Sequence, residues 1–130
     1  VKIIQPDNWP KPKGYSNALM GPGKLLFISG QVGWDENEQF QSDCLVEQTQ
    51  QALTNTLTLL RLANADVSHI ARMTWYITDK QQYLDMRSDI GAVYRKIMGR
   101  HFPTMSMLEV SALMEDQAKV EIESTALIPD

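Results

Sequence analysis

Residues 119–128, Lys119-Val120-Glu121-Ile122-Glu123-Ser124-Thr125-Ala126-Leu127-Ile128 (KVEIESTALI), alternate with a period of two. Val120, Ile122, Ala126 and Ile128 fall on one side and Glu121, Glu123, Thr125 and Leu127 on the other. This is the pattern of a strand with one face on a core and the other turned away from it. Working backwards, Glu115-Asp116-Gln117 is a turn, and the strand before it spans Thr104 to Leu113. That strand opens on a proline in His101-Phe102-Pro103-Thr104-Met105-Ser106-Met107-Leu108-Glu109-Val110. Met105, Met107 and Glu109 share one of its faces, and Ser106, Leu108 and Val110 share the other.

Upstream the period changes to that of a helix. Tyr83, Met86, Ile90, Val93, Tyr94 and Ile97 recur at helical spacing behind Asp79, and Gly99 is a natural C-terminal stop. His69 to Thr78 (HIARMTWYIT), rich in β-branched and aromatic residues, reads as a strand. Before it, Val46, Leu53, Leu57 and Leu60, widened by Ala52 and Ala63, predict a helix from about Cys44 to Ala63 with Asp43 as N-cap. Lys24 to Val32 (KLLFISGQV) reads as a buried strand. The turn Gly21-Pro22-Gly23 predicts that it pairs with an extended Tyr15–Met20 as a hairpin. Residues 33–42 read as a polar loop, and residues 1–13, with three prolines, as a brief edge strand and an irregular arm.

The order hairpin, helix, strand, helix, strand, strand predicts one α+β domain over residues 1–130, a mainly antiparallel sheet with two helices on one face. The other sheet face carries large residues as well as charges, so it calls for a cover, and self-association with closed symmetry would supply one.

Composition narrows the function classes. At 130 residues, 43% hydrophobic and 22% charged, the chain can bury a core without disulfides. A net charge of −4 without a cluster of Lys and Arg argues against nucleic acid as a partner. No apolar run approaches the length of a membrane span. The lone Cys44 cannot form an internal disulfide, which points to a reducing compartment, most simply the cytoplasm. Its thiol reads as packing more readily than as a nucleophile. His69 and His101 lack the spacing of a metal motif, so no metal site is expected.

Several residues admit two readings each. Glu121 and Glu123 are either solvated or, at a subunit boundary, one of them serves in proton transfer with a water. Glu109 has the same two readings, with ion pairing as a third. Ser29-Gly30-Gln31 is either a strand bending into a loop or the floor of a cleft. Tyr15 is a core residue with an exposed phenol or a pocket wall.

Taken together, GYSNA (14–18), LLFISGQVG (25–33), QALTN (51–55), TWYITD (74–79) and KVEIESTA (119–126) resemble the Rid family, also called the YjgF or L-PSP group, from about Gly14 to Ile128. The resemblance implies a chorismate mutase-like fold and a homotrimer whose sheets face a central barrel. It further implies small-molecule ligand clefts between subunits and hydrolysis of enamines or imines, such as 2-aminoacrylate, without a cofactor. In those deaminases an arginine near the start of an FPxRS strand grips the substrate carboxylate; that position here is Met105. The family's frequent cysteine two residues later is Met107, and a helix asparagine falls near Ser88. The elements that match are Tyr15, Ser29 with Gly30, and Glu121 as the water-orienting carboxylate. Methionine offers no donor for the two charge-assisted bonds that a guanidinium makes to a carboxylate. The expectation is therefore a divergent member with weak or no 2-aminoacrylate deaminase activity. The alternative is a non-catalytic trimer that binds or senses a small molecule. An older ribonuclease label for the family sits poorly with the acidic charge.

Overall fold

The computed structural model describes residues 1–130. Strands β1 (Lys2–Ile4), β2 (Ala18–Met20) and β3 (Lys24–Val32) are followed by helix α1 (Leu45–Leu62) and strand β4 (Ile70–Ile77). Helices α2 (Lys80–Asp85) and α3 (Arg87–Met98) then lead to β5 (Thr104–Glu109) and β6 (Val120–Ile128). The main sheet has the order β3-β6-β4-β5, with β6 antiparallel to both neighbours and β4 parallel to β5. The parallel pair follows from the connection, since α2 and α3 carry the chain back to the starting end of the sheet. The expected α+β layering holds. Ala52, Leu53 and Leu60 of α1 and Ile90, Tyr94 and Met98 of α3 form one core with Met73, Trp75, Val120 and Ile122 of the sheet.

The expected hairpin does not form. β2 pairs with β1, Lys2 opposite Met20, whereas β3 pairs with β6, Lys24 opposite Ile128. Gly21-Pro22-Gly23 turns the chain from one sheet into the other, and Gly23 (φ +143°) lies so close to the Ile128 carbonyl that a Cβ there would collide with it. Nor is β3 buried on both faces: Ile28 is 6% exposed, but Phe27 is 74% exposed. A bulge at Ser29–Gly30 breaks the register with β6 between Ile28 and Gln31. The side-chain alternation of β3 is thereby reset beyond that point.

Helix α1 begins on Cys44, not Asp43, and no side chain caps its first turn. Ser42 Oγ instead accepts from the Cys44 amide at 2.9 Å and donates to Glu47 at 3.1 Å. The buried stripe of α1 includes Gln48, Thr49 and Thr56. The two threonines enter it because their hydroxyls donate back to the Leu45 and Ala52 carbonyls, at 2.8 and 3.0 Å. Gln48, 1% exposed, spends its whole amide. Its Nε2 donates to the Ser42 and Gln117 carbonyls at 3.0 and 2.9 Å, and its Oε1 accepts from the Lys119 amide at 2.8 Å. One side chain thus ties the start of α1 to the start of β6.

Asp79 caps the following helix as expected, accepting from the Gln82 amide at 3.0 Å. The helix is not continuous, however: it breaks at Met86 (φ −106°, ψ 12°), and Arg87 Nε donates to the Leu84 carbonyl at 3.2 Å beside the break. β5 stops at Glu109, short of Leu113, because its partner β4 stops at Ile77, whose carbonyl takes the Val110 amide at 2.8 Å. The Glu109 carboxylate accepts from the Lys80 amide at 2.7 Å at the start of α2.

Candidate functional site

The segment before β2 is fastened to the start of β5. The Ser16 amide donates to the Pro103 carbonyl at 3.0 Å and its hydroxyl to the Phe102 carbonyl. This holds Tyr15 beside an open cavity of about 520 Å³ between that segment, α3 and β5. Met105 and Met107 line it because they share a face with Met73 and Trp75, their register partners on β4. Phe102, Ile90 and Tyr94 continue the apolar wall. The volume lies in the range usual for small-ligand sites, about 300–1,000 Å³.

Every charged residue lining this cavity is basic: Lys13, Arg87 and Arg95. Arg87, Gly91 and Arg95 are four residues apart along α3, so they form one stripe facing the cavity. A Cβ on Gly91 would lie 3.3 Å from an Arg95 terminal nitrogen, so the guanidinium folds back over the glycine. Burial pushes the Tyr83 phenol pKa up, and the nearby Arg87 charge works against that rise. Burial likewise pushes the Tyr94 phenol well up, and it donates to the His101 carbonyl at 3.1 Å. Trp75, 2% exposed, lines the same cavity, and its indole Nε1 has no hydrogen-bond partner within the chain.

Ser29, Gly30 and Glu121 lie on the opposite side of the sheet. Glu121 stands across from Tyr76 on the face turned away from the helices, half-buried. Its carboxylate lies over Gly30, where a Cβ would come within 2.6 Å of the Glu121 carboxyl carbon. The bulge and the missing side chain together make the space that this carboxylate fills. Two residues on, Glu123 accepts from the Tyr76 hydroxyl at 2.7 Å, and that bond is the main cause of a raised Tyr76 pKa. Glu123 is therefore engaged by a phenol. Ser29 is exposed on the same face, beside Phe27, Arg72 and Thr125.

The structure thus brings Tyr15, Met105 and Met107 together, and separately Ser29, Gly30 and Glu121, but within one chain it does not bring the two groups together. Ser88 is exposed near the start of α3 and outside the cavity lining, although its neighbour Arg87 lines it. Arg95, Lys13 and Trp75 are cavity residues that sequence reasoning missed. The four-residue spacing of Arg87, Gly91 and Arg95 was the available signal for Arg95. His69 and His101 serve the backbone: His69 Nδ1 accepts from the Asp66 amide at 3.1 Å, and His101 Nε2 bonds with the Ile70 carbonyl at 2.6 Å.

A four-stranded mixed sheet with its helices on one face, a cavity at the edge strand and a carboxylate on the open face define a small α+β protein of the chorismate mutase-like class. Residues 8–128 match the family described as Endoribonuclease L-PSP. The chain belongs to that family, whose members include the Rid and RutC proteins. It is 37% identical to the RutC family protein y4sK of Sinorhizobium fredii, over 95% of each chain. It is 31% identical to a 2-iminobutanoate/2-iminopropanoate deaminase of the goat, Capra hircus, over 97% of this chain and 89% of that one. Its fold superposes on the crystal structure of YyfB, a Rid-family protein of Yersinia pestis, with a TM-score of 0.82, 30% identity and 98% of both chains covered.

Proposed function

We propose that this protein is a divergent Rid-family trimer that binds a small metabolite in clefts between its subunits, with Glu121 as the water-orienting carboxylate for hydrolysis of an enamine, imine or related C=N compound. The observation that carries this reading is the separation of the site residues onto two faces of one chain. Tyr15 and Met105 can meet Ser29, Gly30 and Glu121 only if one subunit offers the cavity and another offers the sheet face. That face also exposes Leu25 (61%), Phe27 (74%) and Leu108 (46%), apolar surface of the kind that association covers. Light scattering is expected to return three times the 14.7 kDa chain mass. A monomeric mass would remove the composite cleft.

The named activity of the deaminase relatives supports C=N hydrolysis as the reaction class, and Met105 argues that 2-aminoacrylate is turned over weakly or not at all. In the proposed step water adds to the C=N carbon while Glu121 accepts its proton and returns it to the nitrogen; as the C–N bond of the tetrahedral adduct breaks and the carbonyl forms, Glu121 relays the hydroxyl proton to the departing nitrogen, which leaves as ammonia. Glu121→Gln keeps the shape but removes the base, and should lower any detectable hydrolysis by about 10²-fold or more, as for other general bases. An unchanged rate in an ammonia-release assay would overturn the role given to Glu121, whereas no ammonia release from the unaltered chain would leave the second reading, a non-catalytic binding or regulatory trimer. The glutamine at Glu121 would then leave ligand affinity intact as well. In either reading the sheet face is occupied by protein, and no helix is long and apolar enough to cross a membrane.

A further inference from the structure

The cavity beside β5 has the chemistry of a specificity pocket, and resting on the reading that this cleft binds a metabolite, we infer that its ligand is a carboxylate with a bulky, preferably aromatic, apolar body. The carboxylate meets the Arg87–Arg95 stripe of α3, and the apolar body lies over Met105, Met107 and Phe102. Three independent observations carry this. The lining is basic without a single acidic residue, in a chain whose net charge is −4. A local reversal of sign at a concave surface concentrates anions there. Arg87 uses only Nε in its bond to Leu84, so that bond leaves its terminal nitrogens uncommitted, and Gly91 gives the Arg95 guanidinium room to fold back over the cavity.

The floor argues for bulk. Two methionines beside Trp75, Tyr83 and Phe102 make a wide, adaptable, polarisable surface, and thioethers favour aromatic partners. A two- or three-carbon acid would leave most of the roughly 520 Å³ unfilled. The carboxylate clamp is thus carried by a helix at the rim of the cavity, and the strand position that would hold an arginine is given over to apolar contact.

The test is calorimetric titration of the full chain with 3-phenylpropionate, its uncharged counterpart 3-phenylpropanamide, and propionate. The phenyl acid is expected to bind at least tenfold more tightly than either. Arg87→Ala combined with Arg95→Ala should weaken the phenyl acid at least tenfold while leaving the amide unchanged. Equal affinity for acid and amide on the unaltered chain would overturn the cationic clamp without reliance on any variant. Equal affinity for propionate would overturn the bulky body, and binding of none of the three would overturn both. A monomeric chain that still preferred the phenyl acid would sink the intersubunit reading above and leave this one standing.

Discussion

Met105→Arg is expected to raise ammonia release from freshly generated 2-aminoacrylate about a hundredfold, which corresponds to about 2.7 kcal/mol of transition-state stabilisation. Position 105 already faces the cavity beside Tyr15, so an arginine there would present two parallel donors to a substrate carboxylate. Each charge-assisted bond is worth about 1.5–3 kcal/mol. Two terms reduce the total: the new charge must share the cavity with Arg87 and Arg95, and the longer side chain gives up the methionine's apolar contacts. The same substitution should weaken 3-phenylpropionate, because the arginine occupies the floor on which the ring would lie. A rate gain with loss of the phenyl acid marks a switch of specificity at one position. No gain would mean that the reacting carbon does not sit within reach of β5.

The second large effect concerns stability. Gln48→Ala should cost about 3–5 kcal/mol, read as a lower urea midpoint with an unchanged slope. The variant leaves a void and strips partners from the Ser42 and Gln117 carbonyls and the Lys119 amide. Gln48→Met fills the void yet still leaves those three groups unpaired, so the difference between the variants separates packing from hydrogen bonding. If Gln48→Met proved as stable as the parent, the bridge between α1 and β6 would be dispensable.

Much of this fold was legible because its elements declare themselves locally. The alternation in 119–128, the helical stripes and Gly99 are properties of neighbouring residues. The mispaired hairpin shows where that stops: Gly21-Pro22-Gly23 announces a turn but says nothing about which strand lies alongside the next one. Lys24 finds its partner at Ile128, more than a hundred positions away in the chain. Polar residues in a helix, such as Gln48 and Thr49, read as outward-facing until their partners are seen. Threonine's partner is one turn back, but two of the three that glutamine finds, Gln117 and Lys119, lie in a distant loop.

Only part of the cavity lining was legible in the sequence, and its place in space was not. Met105, Met107 and Tyr15 meet as the strand pattern and the family resemblance suggest, yet the Glu121 face differs from theirs. The bulge that seats this carboxylate over Gly30 depends on one extra residue in β3, which no periodicity reveals. Arg95 does not stand out in the sequence, because a basic residue in the last turn of a helix already has an explanation in the helix dipole.

The strand order has a consequence for how the molecule is made. β6 is the last strand of the main sheet in the chain, yet it lies in the middle, hydrogen-bonded to β3 on one side and β4 on the other. During synthesis, all three helices and the other three strands of the main sheet emerge before the element that joins them. Until residues 120–128 leave the ribosome, β3 has no partner in the sheet, and the inner faces of Ile28 and Trp75 have no Ile122 between them. The nascent chain must therefore carry an incomplete core until β6 emerges. The long loop closures then fall due together, which favours slow folding and a need for protection against association in the interval.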